Sequence, residues 1–255
     1  MNNLFDLTGN VALITGASSG LGIQFAKALA NQGADIALFA RREEKLKEVE
    51  KEITTMGRKC LAVKCDVTNE LEVINSVEKV VSYFGKIDIL VNNAGVSANS
   101  PAEDLSLEEW NKVVNTNLTG VFITAKHVCP HMKKRNYGRI INTASMYGAV
   151  ANMMFGASPY HASKAGVVNL TRALAAEWAK YGITVNAIGP GFFDSEMTHN
   201  SFKNSSFQNY VKMTTPMGRC GKEGELDGAL IYLASQTSSY TTGQTIFVDG
   251  GTTAI

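Results

Sequence analysis

Short runs of β-branched and apolar residues recur along the chain, and a longer stretch with helical spacing of apolar residues follows most of them. The runs predicted as strands cover residues 11–15, 36–40, 60–65, 87–91, 139–144, 183–188 and 245–248. The stretches predicted as helices cover residues 20–32, 43–56, 69–84, 107–134, 160–181 and 222–234. Strands that alternate with helices form a parallel sheet covered on both faces. The pattern therefore predicts an α/β, doubly wound Rossmann fold with a seven-stranded parallel sheet.

One segment interrupts this alternation. Residues 192–216 are rich in Ser, Asn and Thr, with five aromatic residues interspersed. Long irregular insertions in compact domains are commonly lids or binding loops, and the aromatic content favours a substrate lid here. No linker, repeat or low-complexity tract divides the 255 residues, so we expect residues 1–255 to form a single domain.

Charge and composition narrow the class of partner. Lys and Arg number 24 against 23 Asp and Glu, so no overall field favours nucleic acid or a membrane surface. No apolar run approaches the length of a membrane span, and the first ten residues do not resemble a signal peptide. With four scattered cysteines, these features predict reduced thiols and a cytoplasmic protein. His127 and His131 stand four apart but lack the Glu of a zinc-protease motif, so we expect no metal site.

Tyr160 and Lys164 are the first candidates for chemistry. They stand four residues apart near the start of a predicted helix, which places both side chains on one face. A cation beside a phenol favours the phenolate and would lower the pKa of the phenol. The pair is therefore a candidate acid/base centre.

A glycine-rich turn follows the first predicted strand and leads directly into a helix. It reads Thr-Gly-Ala-Ser-Ser-Gly-Leu-Gly from residue 15 to residue 22, and its spacing departs from the common Gly-x-Gly-x-x-Gly pattern. Glycines allow a pyrophosphate to approach the backbone, and the helix N-terminus supplies free N–H groups. The predicted cofactor contacts in this turn are Gly16, Ser18, Ser19, Gly20, Leu21 and Gly22.

The end of the second strand favours NADP(H) over NAD(H). An NAD site usually has an acidic residue there to bind the ribose hydroxyls, whereas a 2′-phosphate requires a cation. Ala40 stands at that place and Arg41 and Arg42 follow it. The alternative is that both arginines are exposed and pair with Glu43 and Glu44.

Together with these residues, Asn92-Asn93-Ala94-Gly95, Asn117 and Ser145 make the chain resemble the short-chain dehydrogenase/reductase family over essentially its whole length. The resemblance implies that Tyr160 exchanges a proton with the substrate oxygen while hydride moves to or from the nicotinamide. It implies that Lys164 lowers the pKa of Tyr160 and binds the ribose, that Ser145 orients the substrate oxygen, and that Asn117 anchors a water in the proton relay.

The resemblance also implies further cofactor contacts and an assembly. These contacts are Asp66 and Val67 at the adenine, Asn92, Ala94 and Gly95 at the ribose, and Pro190, Gly191, Phe193 and Ser195 at the nicotinamide amide. Ser195 replaces the usual Thr and keeps the hydroxyl. The helix over 160–181 is apolar on more than one face, as in family members that assemble through it, so we expect a homotetramer.

The substrate is less sharply indicated. The stretches around Ser145, Tyr160 and Pro190 are similar to those of gluconate 5-dehydrogenases and related sugar-acid or polyol oxidoreductases. The apolar stretch 146–155 instead favours a hydrophobic ketone, either a 3-oxoacyl thioester or a steroid, unless those residues fill the core under the lid. A third hypothesis is a catalytically inactive NADP(H)-binding sensor or scaffold, which the intact catalytic set disfavours.

Overall fold

A seven-stranded, fully parallel sheet forms the centre of the protein in the computed structural model, which describes residues 4–152, 154, 156–194, 198 and 202–255. The strand order is β3-β2-β1-β4-β5-β6-β7. The strands are β1 (Val11–Thr15), β2 (Asp35–Ala40), β3 (Cys60–Lys64), β4 (Ile89–Asn92), β5 (Gly138–Thr143), β6 (Ile183–Pro190) and β7 (Thr245–Val248). The order reverses between β1 and β4, which is where open α/β sheets bind ligands. The predicted fold class is confirmed.

Helices cover both faces of the sheet. They are α1 (Gly20–Asn31), α2 (Glu43–Thr55), α3 (Glu70–Phe84), α4 (Leu107–Val114), α5 (Gly120–Arg135), α6 (Ser158–Trp178), α7 (Ser205–Thr214) and α8 (Asp227–Ala234). Local sequence sets several boundaries. The Asn69 side chain accepts hydrogen bonds from the first turn of α3, and Gly85 ends that helix in the left-handed region. Ser106 and Glu109 form a capping box at the start of α4.

The core lies in two layers, one on each face of the sheet. Alternate residues of the buried strands supply both layers, so that Leu38 packs in one and Phe39 in the other. The first layer is completed by α1, α2 and α8, and the second by α3, α5 and α6. No helix of the described part of the chain is long and apolar enough to span a membrane.

Three predicted elements differ from the structure. The continuous helix expected over 107–134 is interrupted by a π-helical turn, Asn115–Thr119, between α4 and α5. The last helix begins at Asp227 instead of residue 222, because Gly224 has a positive φ and Glu225 binds Arg219 and the Lys222 N–H. The segment 192–216 contains α7 where we expected irregular chain.

Candidate active site

A cleft of about 890 Å³ runs along the carboxyl ends of the strands. It brings together most of the residues that the sequence singles out. Those that line it are Gly16, Ser18, Ser19, Gly20, Leu21, Arg41, Arg42, Asp66, Val67, Ala94, Gly95, Ser145, Tyr160, Lys164, Pro190, Gly191 and Phe193. Gly22, Asn92 and Asn117 do not line the cleft, and Ser195 lies outside the described residues.

The glycine-rich turn brings backbone to the floor of the cleft. Gly16 has a φ of +65°, and a Cβ there would lie 2.8 Å from the Ala94 Cα. At Gly22 a Cβ would collide with the Gly16 carbonyl. This glycine therefore packs against the turn and does not line the cleft. The turn therefore has no space for side chains at the two positions that define its shape.

Three donors gather at the end of β2, at the far end of the turn. The Arg42 guanidinium lies 2.8 Å from the Ser19 Oγ and 3.2 Å from the Ser18 Oγ, and all three side chains line the cleft. A guanidinium with two hydroxyl groups suits a phosphate. Arg41 lines the same end of the cleft. The residues therefore fit the 2′-phosphate of NADP(H). Both arginines are exposed, as in the alternative, and Arg42 contacts the serines of the turn.

The chain after β4 is tied to the end of β1. The Thr15 Oγ1 accepts hydrogen bonds from the N–H groups of Asn93 and Ala94 at 3.0 and 3.1 Å. Asn92 lies deeper, and its Nδ2 donates to the Asn142 Oδ1 at 3.0 Å. Asn92 thus joins β4 to β5, while Ala94 and Gly95 reach the cleft.

Tyr160 and Lys164 project from the first turns of α6, where Pro159 stands at the second helical position. Lys164 is 4% exposed, and its Nζ donates to the Thr143 carbonyl at 2.7 Å. The Nζ lies 5.6 Å from the centroid of the Tyr160 ring. The predicted pair is therefore assembled at the end of β5.

Burial dominates the proton affinity of both groups. It raises the pKa of Tyr160, and a hydrogen bond from Ser145 acts in the opposite direction. Burial lowers the pKa of Lys164 to about 8. The predicted effect of Lys164 on the pKa of Tyr160 stays a prediction, because Tyr160 is half-buried and the Lys164 Nζ binds a backbone carbonyl.

Ser145 begins a 3₁₀ turn, Met146–Gly148, directly after β5. Its Oγ accepts a hydrogen bond from the Tyr147 N–H at 3.1 Å. Because this contact uses a lone pair and not the hydroxyl proton, the serine proton stays available for Tyr160 or for a substrate oxygen. The strand end therefore presents Ser145 to the reacting group.

Asn117 lies in the π-helical turn and is fully buried. Its Oδ1 accepts from the Val96 N–H at 2.8 Å, and its Nδ2 donates to the Val96 carbonyl at 2.9 Å and to the Ser163 Oγ at 3.2 Å. A Cβ placed on Gly95 would lie 3.4 Å from the Asn117 Oδ1 and 3.7 Å from the Lys164 Nζ. Asn117 thus connects the loop after β4 to α6 behind Lys164, and its role in a proton relay stays a prediction.

Several cleft residues were missed by the sequence reasoning. They are Cys65, Thr68, Val96, Ser97, Lys112, Asn115, Thr116, Thr143, Ala144 and Thr198. Many of them directly adjoin a residue that was predicted, so proximity to a strand end was the available signal. Lys112, Asn115 and Thr116 come from α4 and the π-helical turn, which no strand-end rule selects.

The apolar stretch that favoured a hydrophobic substrate divides in the structure. Met146 is 1% exposed and packs with Phe192 and Phe207 in a cluster beneath α7, whereas Met154 is 40% exposed. Met146 therefore fills the core and is absent from the lining of the cleft.

Comparisons with known proteins agree with this geometry. The family model described as enoyl-(acyl carrier protein) reductase matches residues 16–253. The gluconate 5-dehydrogenase of Gluconobacter oxydans is 38% identical to the chain and covers 98% of it, with 97% of the relative matched. The chain belongs to the short-chain dehydrogenase/reductase family.

Other short-chain dehydrogenases/reductases are similar to the same extent. The 3-oxoacyl-[acyl-carrier-protein] reductase of Staphylococcus aureus is 39% identical over 94% of the chain and 96% of the relative. A gluconate 5-dehydrogenase from Burkholderia cenocepacia, solved in complex with NADP and tartrate, superposes with a TM-score of 0.95 at 37% identity, covering 99% of this chain and 98% of that one. Family membership thus accounts for the fold, while overall identity does not choose between the substrate classes.

Proposed function

We propose that the protein is an NADP(H)-dependent oxidoreductase that interconverts a secondary alcohol and a ketone, with a sugar acid or polyol as substrate. The observation that carries this proposal is one continuous cleft with Arg42, Ser18 and Ser19 at one end and Ser145, Tyr160 and Lys164 further along it. The cofactor supplies or accepts the hydride at its nicotinamide carbon.

The side chains of the protein manage the proton and the orientation of the substrate. In the reducing direction, Tyr160 donates its proton to the carbonyl oxygen, and its raised pKa keeps that proton in place at neutral pH. Ser145 donates to the same oxygen and stabilises the negative charge that develops there. Lys164 stabilises the phenolate that remains and, as in the family, would bind the nicotinamide ribose. In the oxidising direction the phenolate form of Tyr160, stabilised by Lys164, accepts the alcohol proton.

The cofactor would be held along the whole cleft. The glycine-rich turn would hold the pyrophosphate, and Arg42 with the two serines would bind the 2′-phosphate. Asp66 and Val67 lie at the end suited to the adenine, and Pro190, Gly191 and Phe193 at the end suited to the nicotinamide. The related Burkholderia enzyme in complex with NADP supports this assignment.

Two observations favour a hydroxylated substrate. The named relatives include gluconate 5-dehydrogenases. Met146, the first residue of the apolar stretch, belongs to the core and does not line the cleft, whose lining includes the polar residues Ser97 and Thr198. The second candidate is a reductase of a hydrophobic ketone such as a 3-oxoacyl thioester, which the similarity to the Staphylococcus reductase and the exposed Met154 support.

The deciding experiment follows NADPH oxidation by absorbance with 5-ketogluconate, other keto-sugars, an acetoacetyl thioester and a keto-steroid in parallel. We expect turnover of the keto-sugars and little turnover of the apolar ketones, and the reverse result would establish the second candidate. Tyr160→Phe is the control: an active parent beside an inert variant excludes an inactive sensor or scaffold. A parent that binds NADPH but reduces none of these ketones would contradict the function proposed here.

Assembly, location and the lid belong to the same proposal. A homotetramer is supported by the exposed small residues Ala162, Ala165, Ala173 and Ala176 along α6, which would allow a second helix to approach closely. A cytoplasmic location is supported by the four free cysteines. The role of residues 192–216 as a substrate lid is supported by the packing of Phe207 and Val211 of α7 over the turn after Ser145.

A further inference from the structure

Tyr147 occupies a position that the proposed mechanism does not use. It is the second residue after Ser145, in the 3₁₀ turn, and it is 9% exposed. Its backbone N–H donates to the Ser145 Oγ at 3.1 Å. The backbone position of Tyr147 therefore fixes the N–H group that donates to the Ser145 hydroxyl.

The ring of Tyr147 is fixed by two parts of the fold. It lies 4.7 Å from the ring of His161, the residue directly after Tyr160 on α6, at an interplanar angle of 33°. It also meets the edge of Phe192, which follows β6, at 6.1 Å between centroids. Aromatic pairs at such distances are attractive beyond the area they bury. Tyr147 is thus held from the catalytic helix on one side and from the end of β6 on the other.

A third contact reaches the helix over the cleft. Phe192, the ring that Tyr147 contacts, also contacts Tyr210 of α7. Tyr210 and Phe207 of the same helix pack against Phe192 at 6.1 and 5.2 Å between ring centroids. One aromatic cluster therefore joins α7 to the turn that carries Ser145.

The turn has little freedom to compensate for a change at Tyr147. A Cβ on Gly148 would lie 2.9 Å from the Lys164 carbonyl and 3.1 Å from the Val168 side chain, so the turn lies directly on α6. The turn is clamped by α6 below and by the Tyr147 ring cluster above. Loss of the ring would release only one of these contacts and would change the direction of the Tyr147 N–H.

We propose that Tyr147 is a positioning residue, which fixes the Ser145 hydroxyl toward the substrate oxygen and transmits the packing of α7 to it. This inference rests on the proposed function, since it concerns the same alcohol–ketone reaction. In this proposal Tyr147 affects catalysis only by orienting Ser145, so its effect depends on the Ser145 hydroxyl.

A double-mutant cycle tests this dependence. Tyr147→Leu, Ser145→Ala and the double variant are assayed with NADPH and whichever ketone the parent reduces. We expect Tyr147→Leu to lower kcat/KM about 10- to 100-fold in the parent, and less than about twofold in the Ser145→Ala background, because the serine hydroxyl is then absent. Equal losses in both backgrounds would mean general disruption and would overturn the proposal, as would an unchanged kcat/KM in Tyr147→Leu.

Further measurements keep the test decisive if Tyr147→Leu folds poorly. Tyr147→Phe keeps the ring, and we expect it to keep kcat/KM within about twofold of the parent. Phe192→Leu removes the ring that joins Tyr147 to α7, and we expect it to lower kcat by about threefold, again only when Ser145 is present. The affinity of Tyr147→Phe for NADPH and its melting temperature should match those of Tyr240→Leu, a control variant at a fully exposed position. A fall in NADPH affinity equal to the fall in kcat would contradict a role through Ser145. Inactivity of the parent toward every ketone would refute the proposed function instead, and the parent alone reveals it.

Discussion

At the scale of single residues, the contacts of Arg42 bear on two interpretations that the sequence left open. An arginine after the second strand could be a solvated side chain or a phosphate ligand, and the residue type alone does not distinguish these two roles. The structure places its guanidinium on the hydroxyl groups of Ser18 and Ser19 at the rim of the cleft. The decisive contact joins residues more than twenty positions apart, so local sequence reasoning could name the arginine but not its partners.

Replacing Arg42 should therefore change cofactor preference. We expect Arg42→Ala to lower kcat/KM for NADPH by about 10- to 100-fold, because one or two charge-assisted hydrogen bonds to the phosphate are lost, with little change for NADH. Arg41→Ala should have a smaller effect in the same direction. The measurement is the ratio of kcat/KM for the two cofactors, with Lys59→Ala, an exposed position outside the cleft, as control. An unchanged ratio in Arg42→Ala would refute the assignment.

Lys164, the candidate catalytic cation, is destabilised in its charged form by burial. Its pKa in the folded protein, about 8, lies below the ordinary value of 10.5 because the charged form is desolvated. Between these two values the unfolded chain binds more protons at this position than the folded chain does. The contribution of Lys164 to the free energy of unfolding therefore rises with pH from about 8 to 10.5, and it is least favourable below pH 8.

Lys164→Met should accordingly be inactive but more stable at neutral pH. Removal of the desolvated charge is expected to raise the free energy of unfolding at pH 7 by about 1–2 kcal/mol, after the loss of the Thr143 hydrogen bond is included. The gain should diminish as the pH is raised from 8 toward 10.5. Urea unfolding of parent and variant at pH 7 and pH 10 measures it, and a variant less stable at pH 7 would contradict this account.

At the scale of elements, the sequence predicted regular structure better than its interruptions. Alternating apolar runs located all seven strands to within a few residues, because buried parallel strands have a strong hydrophobic signature. The π-helical turn at Asn115–Thr119 has no such signature, since its apolar and polar residues also fit a regular helix. Tertiary hydrogen bonds from Asn117 to Val96 and Ser163 accompany this turn, and they are invisible in the local pattern.

The candidate site was predictable for a related reason. Its residues sit at strand ends, where the motifs Thr15–Gly22, Asn92–Gly95 and Ser145 are continuous in sequence. The distinction between residues that face the cleft and residues that support it was not predictable. Asn92 hydrogen-bonds to the side chain of Asn142 on the next strand, a contact that depends on the pairing of the sheet. Gly22 packs against the Gly16 carbonyl, which the sequence of the turn does not reveal.

Helix α5 begins at a glycine because it meets the cofactor cleft there. A Cβ on Gly120 would lie 2.8 Å from the Val67 Cγ2, and Val67 lines the cleft. We expect Gly120→Ala to displace Val67, to weaken NADPH binding several-fold and to lower the melting temperature by a few degrees. Gly228→Ala is the matched control on α8, where a Cβ meets no atom within 4 Å, and it should be neutral or slightly stabilising. Fluorescence titration of NADPH distinguishes the two, and equal behaviour would argue against this packing.

At the scale of the whole molecule, the exposed alanines of α6 carry the prediction about assembly. The side chains of Leu174 and Trp178 are already buried within the chain, so contact with another copy would use the exposed alanines together with Asn169, Arg172 and Glu177. We expect the parent to be a tetramer in light scattering and Ala173→Glu to shift it to smaller species, because a charge would enter a close helix contact. Ser82→Glu, on the exposed side of α3, should leave the assembly unchanged. A monomeric parent would refute the assembly.

The strand order described above also places the two ends of the cleft in different parts of the sequence. The groups suited to the nucleotide end of the cofactor follow β1, β2 and β3, within roughly the first 70 residues, whereas Ser145, Tyr160, α7 and their neighbours follow β5 and β6. Evolution or a protein engineer could therefore alter which coenzyme is used in one half and which alcohol is recognised in the other. The two adaptations would meet at Thr15, whose hydroxyl joins β1 to the chain after β4, and at Val67, which packs against Gly120 of α5.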